Sequence, residues 1–214
     1  KQCGIIRCHS VEDLYAHGWV HAAQPPLRGR RLAVVTNSGG PGTAISHNAD
    51  RGGMTVPRFS GALQTKIRNL IPGHASSANP VDLTFHLDMK LLATTIPEMI
   101  MESGEADAVI VHGAMNSGFM KVAYPHVREI LGNIPLETFL ELNAVDMTAA
   151  VELPQKYGLP LVVSSFFGRE DNNTSFFMDH DVSVFDSPEK AARGMVSLLR
   201  YLEIRGRRPV KRPP

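Results

Sequence analysis

Short continuous apolar runs alternate along this chain with longer amphipathic stretches. Residues 32–35, 108–111 and 161–163 are unbroken runs of aliphatic side chains bounded by polar or glycine residues, the pattern of strands buried on both faces. Between them the apolar positions recur at helical spacing. Ser10-Val11-Glu12-Asp13 has the shape of a capping box, with Asp where Glu or Gln is usual, and predicts a helix through Leu14, Trp19 and Val20 that Pro25-Pro26 ends. A helix is expected from about Gly40 to Arg51, where paired glycines stop it. The remaining pattern predicts a strand over 55–59, helices over 62–71 and 87–103, a strand over 107–112, helices over 122–131 and 137–157, strands over 161–164 and 182–185, and a closing helix over 188–204. Strands alternating with helices at this spacing predict an α/β fold, a doubly wound, mostly parallel, flavodoxin-like sheet with right-handed crossovers. The expected division is a helical lead-in over 1–29, the flavodoxin-like domain over 30–205 and a basic Pro-rich tail over 206–214.

In such a sheet, ligands sit beyond the carboxyl ends of the strands, beside the topological switch point. That rule singles out the loops 37–42, 79–84, 113–118 and 164–172, three of them rich in Gly, Ser and Asn. The first, Asn37-Ser38-Gly39-Gly40-Pro41-Gly42, joins a buried strand to a helix. Glycine permits close backbone approach, Pro41 suits a first helical turn, and unpaired N–H groups at the positive end of a helix favour a phosphate or carboxylate. The loop is neither a dinucleotide fingerprint nor a Walker loop, since no Lys-Ser/Thr pair follows. In the second, Pro80 drives Asn79 to an extended backbone, and Asp82 can bind backbone N–H groups or cap a helix.

Charge excludes some function classes. With 22 Lys and Arg against 21 Asp and Glu, nothing draws the whole chain to nucleic acid, and five of the basic residues crowd into the last ten positions, leaving the remainder at about −4. No apolar run approaches the ~20 residues of a membrane span. The two cysteines, Cys3 and Cys8, lack a second ligand pair for zinc and read as idle thiols of a reducing cytosol; the absent initial Met suggests a fragment. His17 and His21 are spaced to share a metal but have no third ligand nearby, so no metal site is expected. His74 and His86 flank the second loop, and His112 ends a strand. Ser164-Ser165 lacks the setting of a nucleophile. Phe166, Phe167, Phe176 and Phe177 lie close enough in sequence to line an acyl pocket or to form a core edge.

The pairing of Thr36 to Gly42 with Asn79-Pro80-Val81-Asp82-Leu83 some forty residues later resembles the NDP-forming acyl-CoA synthetases, relatives of succinyl-CoA synthetase. The likeness extends to the opening segment 10–14 and to 184–193, which leads into the last helix. It implies a ligase domain that follows a phosphohistidine-bearing one, in an enzyme that converts acyl-CoA, NDP and phosphate to carboxylic acid, CoA and NTP. In that scheme Asn37, Ser38, Gly39, Gly40, Pro41, Gly42, Asn79 and Asp82 receive the phosphoryl group or phosphohistidine. Gly113, Ala114 and Asn116 contact the acyl end.

The resemblance implies CoA-binding and ATP-grasp domains as partners, a small carboxylic acid or acyl-CoA as ligand, CoA, ADP/ATP and Mg as cofactors of the full enzyme, and a cytoplasmic setting that leaves room for a homo-oligomer. The fragment alone is expected to bind no cofactor. No residue here matches the family's phosphorylated histidine; His9 does not fit its motif, so the fragment carries no catalytic residue of its own. His47 stands where relatives have an acid, five positions after Gly42. That departure keeps a second reading open, a non-catalytic CoA or acyl-CoA sensing module such as one fused to a protein acyltransferase. A flavin-binding flavodoxin-like protein is a third.

Overall fold

A computed structural model describes residues 4–8 and 10–206. Cys3, His9 and the basic tail from 207 onward lie outside the described residues. Helix α1 (Val11–Ala23) starts at Ser10, whose hydroxyl accepts from the Asp13 N–H, as the capping pattern predicts. Strand β1 (Leu32–Thr36) runs into α2 (Gly39–Arg51), followed by α3 (Gly61–Arg68), β2 (Val81–Asp82), a π-helical turn (Leu91–Thr95) continuous with α4 (Ile96–Ser103), and β3 (Ala108–His112). Then come α5 (Ser117–Val127), α6 (Leu136–Leu142), α7 (Thr148–Tyr157), β4 (Leu161–Ser164), α8 (Asn172–Asp179), β5 (Val184–Phe185) and α9 (Pro188–Arg205).

The five strands form one parallel sheet in the order β2-β1-β3-β4-β5, the flavodoxin-like order with its switch point between β1 and β3. Every residue of β1, β3 and β4 is buried, and successive side chains enter opposite faces. Ala33, Val35, Val109 and Val111 pack with α3, α4 and α7, while Leu32, Val34, Ala108 and Ile110 pack with α1, α2 and α9. Two cores result, one on each side of the sheet. The lead-in helix belongs to the second of them: α1 lies on α9, and the Arg193 guanidinium contacts the Asp13 carboxylate at 3.0 Å.

The strand expected over 55–59 does not form, and the second strand is instead Val81–Asp82, inside the segment expected to be a ligand loop. The reason lies along the free edge of β1, which three separate pieces share. Thr55 pairs with its amino end through Leu32 N to Thr55 O (2.7 Å) and Thr55 N to Arg30 O (2.8 Å). The Asn79 side chain takes the middle, accepting from Val34 N at 3.0 Å and donating to Leu32 O at 2.8 Å. Val81 and Asp82 pair with Val35 and Thr36 at the carboxyl end. The Asn79 amide thus makes the two bonds that a residue of a parallel neighbour would make. Further along, the helix expected over 137–157 breaks into α6 and α7, and α8 was not anticipated.

Candidate anion site at the carboxyl edge of the sheet

Loop 37–42 leaves β1 at the switch point. Thr36 fixes its start: the Ser38 N–H donates to Thr36 Oγ1 at 3.1 Å, and that hydroxyl donates to Ser38 O at 2.8 Å. Gly42 is required for packing, because a Cβ there would meet the Thr36 methyl at 2.8 Å. Asn37 is buried and turns across the crevice toward β3, its amide donating to Gly113 O at 3.3 Å. Gly113 has φ +87°, and a Cβ there would lie 2.2 Å from the Asn37 side chain, so two of the expected site residues close the switch-point crevice on each other.

Gly39 and Gly40 remain at the helix mouth. Ser38 makes no side-chain cap, Pro41 has no N–H, and Gly42 N bonds Ser38 O at 3.4 Å. Among the described residues the N–H groups of Gly39 and Gly40 have no partner, at the positive end of a helix of 13 residues. Asp82 stands beside them: its Oδ1 accepts from Thr84 N at 2.8 Å, and its Oδ2 lies 3.2 Å from where a Gly39 Cβ would be. The mouth of α2 therefore offers two amide donors with a carboxylate at the side.

The equivalent mouth of α5 is filled. Asp171, fully buried, accepts from the Asn116 and Gly118 N–H groups through Oδ2, both at 2.7 Å, while its Oδ1 caps α8 by accepting from Thr174 N at 3.0 Å. Ser117 and Asn172 add reciprocal bonds of 2.9 Å. An internal carboxylate occupies this anion site. The residues expected at the acyl end are engaged as well: Gly113 N donates to Ser164 O at 3.0 Å, the Asn116 amide to Asn143 O at 2.7 Å, and Ala114 is buried. The cap signature Asp171-Asn172-Asn173-Thr174 was readable in the sequence, but not that Asp171 serves a second helix 55 residues earlier.

Asn79 lies away from this edge. Its carbonyl oxygen and both donors are used on Val34, Leu32 and Pro57, the last at 3.0 Å. His112 ends β3 with 2% of its surface exposed, its Nδ1 3.0 Å from Ser164 Oγ and its ring edge-on to Phe166 at 5.0 Å. Burial pushes its pKa down to about 4, so the ring is neutral at physiological pH.

The four phenylalanines do not form one pocket. Phe177 is core, Phe176 stacks on His180, and Phe166 is exposed. Phe167 helps line a groove of about 580 Å³ with Tyr15, Trp19, Met178 and Phe185. His17 contacts Cys8 Sγ at 3.4 Å whereas His21 faces Ser197 and Tyr201. Among the described residues no three potential ligands are grouped to hold a metal ion, and no helix is long and apolar enough to cross a membrane. His47 and His74 are exposed and His86 half-buried.

No family model matches the sequence. The chain is 28% identical over 83 residues to the alpha subunit of acetate–CoA ligase [ADP-forming] II of Pyrococcus furiosus, a match covering 39% of this chain and 18% of that protein. It is 22% identical over 203 residues to 4-hydroxybutyrate–CoA ligase [ADP-forming] of Nitrosopumilus maritimus, covering 94% of this chain and 26% of that one. Its relatives are NDP-forming acyl-CoA ligases. The matched segments cover only between 12% and 34% of the lengths of these ligases. A structure of the dinucleotide-forming acetyl-coenzyme A synthetase 1 of Ca. Korarchaeum cryptofilum in complex with phosphate and ADP shares the fold, with TM-score 0.71 at 22% identity, over 95% of this chain and 40% of that one. A Pyrococcus horikoshii protein gives TM-score 0.70 at 17% identity over 96% and 43% of the two chains.

Proposed function

We propose that this chain is a ligase domain of an NDP-forming acyl-CoA synthetase and that the mouth of α2 receives the phosphoryl group while it rides on a histidine of a neighbouring domain. The observation that carries this reading is the contrast between two helix mouths on one sheet edge. That of α5 is closed by Asp171, and that of α2 presents the Gly39 and Gly40 N–H groups unpaired. Those amides and the helix dipole stabilise a phosphoryl dianion. Asp82 beside them repels free phosphate, and only a phosphoryl group carried on a protonated imidazole offsets that repulsion through its ring, so the arrangement suits a phosphoryl group that arrives on its carrier.

The reaction runs from acyl-CoA, NDP and phosphate to acid, CoA and NTP, with the phosphoryl group passing from an acyl phosphate to the histidine and then to NDP. Within it this chain binds and orients; at this edge His112 and Ser164 are buried against each other, 3.0 Å apart, and neither is presented to an incoming group. CoA, nucleotide and Mg²⁺ are assigned to partner CoA-binding and ATP-grasp domains, as the likeness to NDP-forming ligases implies. The test is to mix the purified chain with acyl-CoA, ADP and phosphate. No NTP is expected from the chain alone, and sustained NTP formation would overturn the assignment. His47, exposed on α2 where the resemblance implies an acid, favours the second reading, a non-catalytic CoA-sensing module. His47→Asp in the parent protein separates the two: a synthetase already active and unaffected by the change rules out the sensing module.

A further inference from the structure

Between Phe119 and Asp146 no residue is buried, although the segment contains α6, most of α5 and a high density of large apolar side chains. The two helices form an antiparallel hairpin tied at one end by the Asn116 amide to Asn143 O and at the other by Tyr124 Oη, which donates to Ile134 O at 2.5 Å. α5 packs chiefly on α6 and α8, not on the sheet. Its seam is shallow: Tyr124 meets Phe139 with ring centroids 5.7 Å apart, and both rings, with Val127 and Leu140, stay half-exposed. Beyond the seam Val122, Ile130 and Leu142 are 61%, 85% and 73% exposed. Helices of 11 and 7 residues are too short to hold themselves by backbone propensity, and their stability must come from apolar burial that a single copy leaves incomplete.

We propose that a second copy of this chain covers the hairpin, the two hairpins stacking across a two-fold axis as an antiparallel four-helix layer. Charge selects this occupant. α5 carries Lys121 and α6 carries Glu137 and Glu141, all exposed, and none of them forms a salt bridge among the described residues. The ties between 116 and 143 and between 124 and 134 set Lys121 about level with Glu137, with Glu141 a turn nearer the Asn116 end and Arg128 beyond Glu137 at the other. A two-fold axis along the hairpin keeps those levels while laying α5 of one copy over α6 of the other, so each basic helix meets an acidic one. The patch is complementary to itself, as a two-fold interface requires. Val122, Ile130, Leu131 and Leu142 expose on the order of 500 Å² per copy, against roughly 800 Å² per partner for a stable interface, and the half-open seam adds to it. This assignment is independent of the phosphoryl site.

Sedimentation of the full chain between about 1 and 100 μM tests it. The expected result is a mass near twice 23.4 kDa at the upper end. Ile130→Glu with Leu142→Glu, at exposed positions where the monomer fold is not at stake, should weaken association about tenfold or more. Lys121→Glu should weaken it too, and adding Glu137→Lys and Glu141→Lys to the same chain should restore it. A monomer throughout the range overturns the proposal and means that a different protein surface covers the hairpin. A dimer indifferent to both sets of substitutions overturns it as well, placing the interface elsewhere.

Discussion

Gly40→Asp separates anion binding at α2 from the stability of α2. A Cβ at Gly40 meets nothing within 4 Å and the residue has no positive φ, so the substitution introduces neither a clash nor backbone strain. A carboxylate in the first turn interacts favourably with the helix dipole by about 0.3–1 kcal/mol, and replacing an exposed helical glycine adds a few tenths more, so the variant should melt slightly higher than the parent chain. The same carboxylate would stand about 5 Å from a phosphoryl dianion at the helix mouth. Coulomb repulsion at that distance, even with the dielectric of water, is about 1.5–2 kcal/mol, which weakens binding more than tenfold. Gly40→Ala keeps the N–H and adds no charge, so it should bind as the parent does. The assay is amide NMR of Gly39 and Gly40 during titration with inorganic phosphate and with phosphohistidine, beside thermal melts. Amides that move with neither ligand in the parent chain would refute the reasoning, as would a Gly40→Asp variant that binds like the parent.

Three other outcomes are expected. Asp82→Asn should tighten inorganic phosphate more than phosphohistidine, because the lost charge repels the phosphoryl dianion of both but attracts the protonated ring of the second; an equal or larger gain for phosphohistidine, read by the same titration, would contradict the role given to Asp82. His112 is neutral when folded, with its pKa lowered to about 4 from 6.5, so the unfolded chain binds the extra proton between those values. Stability from this residue is therefore fully present above about pH 6.5 and is lost as pH falls toward 4, on the order of 3 kcal/mol in all, and urea melts of His112→Leu should show a correspondingly flatter slope in that window. Asn79→Asp keeps one acceptor but loses both donors and sets a charge against Leu32 O and Pro57 O. A loss of roughly 2–4 kcal/mol in urea unfolding is expected, with phosphate titration unchanged in the surviving folded protein.

The parts of this fold that were legible are those dictated by local pattern. Short aliphatic runs rich in β-branched residues and bounded by polar residues fit strands buried on both faces, and β1, β3 and β4 follow them closely. Ser10 caps the helix it precedes. The misreadings share a cause. Residues 55–59 have strand composition, yet the edge of β1 they would pair with is already divided among Thr55, the Asn79 amide and Val81-Asp82. Nothing local says that a side chain will stand in for a strand.

The sequence by itself determined the layer architecture, the glycine turn after β1 and the likeness to NDP-forming ligases, because each depends on residue types at short spacing. Only the tertiary structure decided which helix mouth stays open. That choice depends on Asp171 reaching across 55 residues to fill α5, on Asn37 closing the switch point against Gly113, and on Asp82 settling beside Gly39. Anion binding at a helix end depends on whether its amides find an internal partner first, and that partner is supplied by topology.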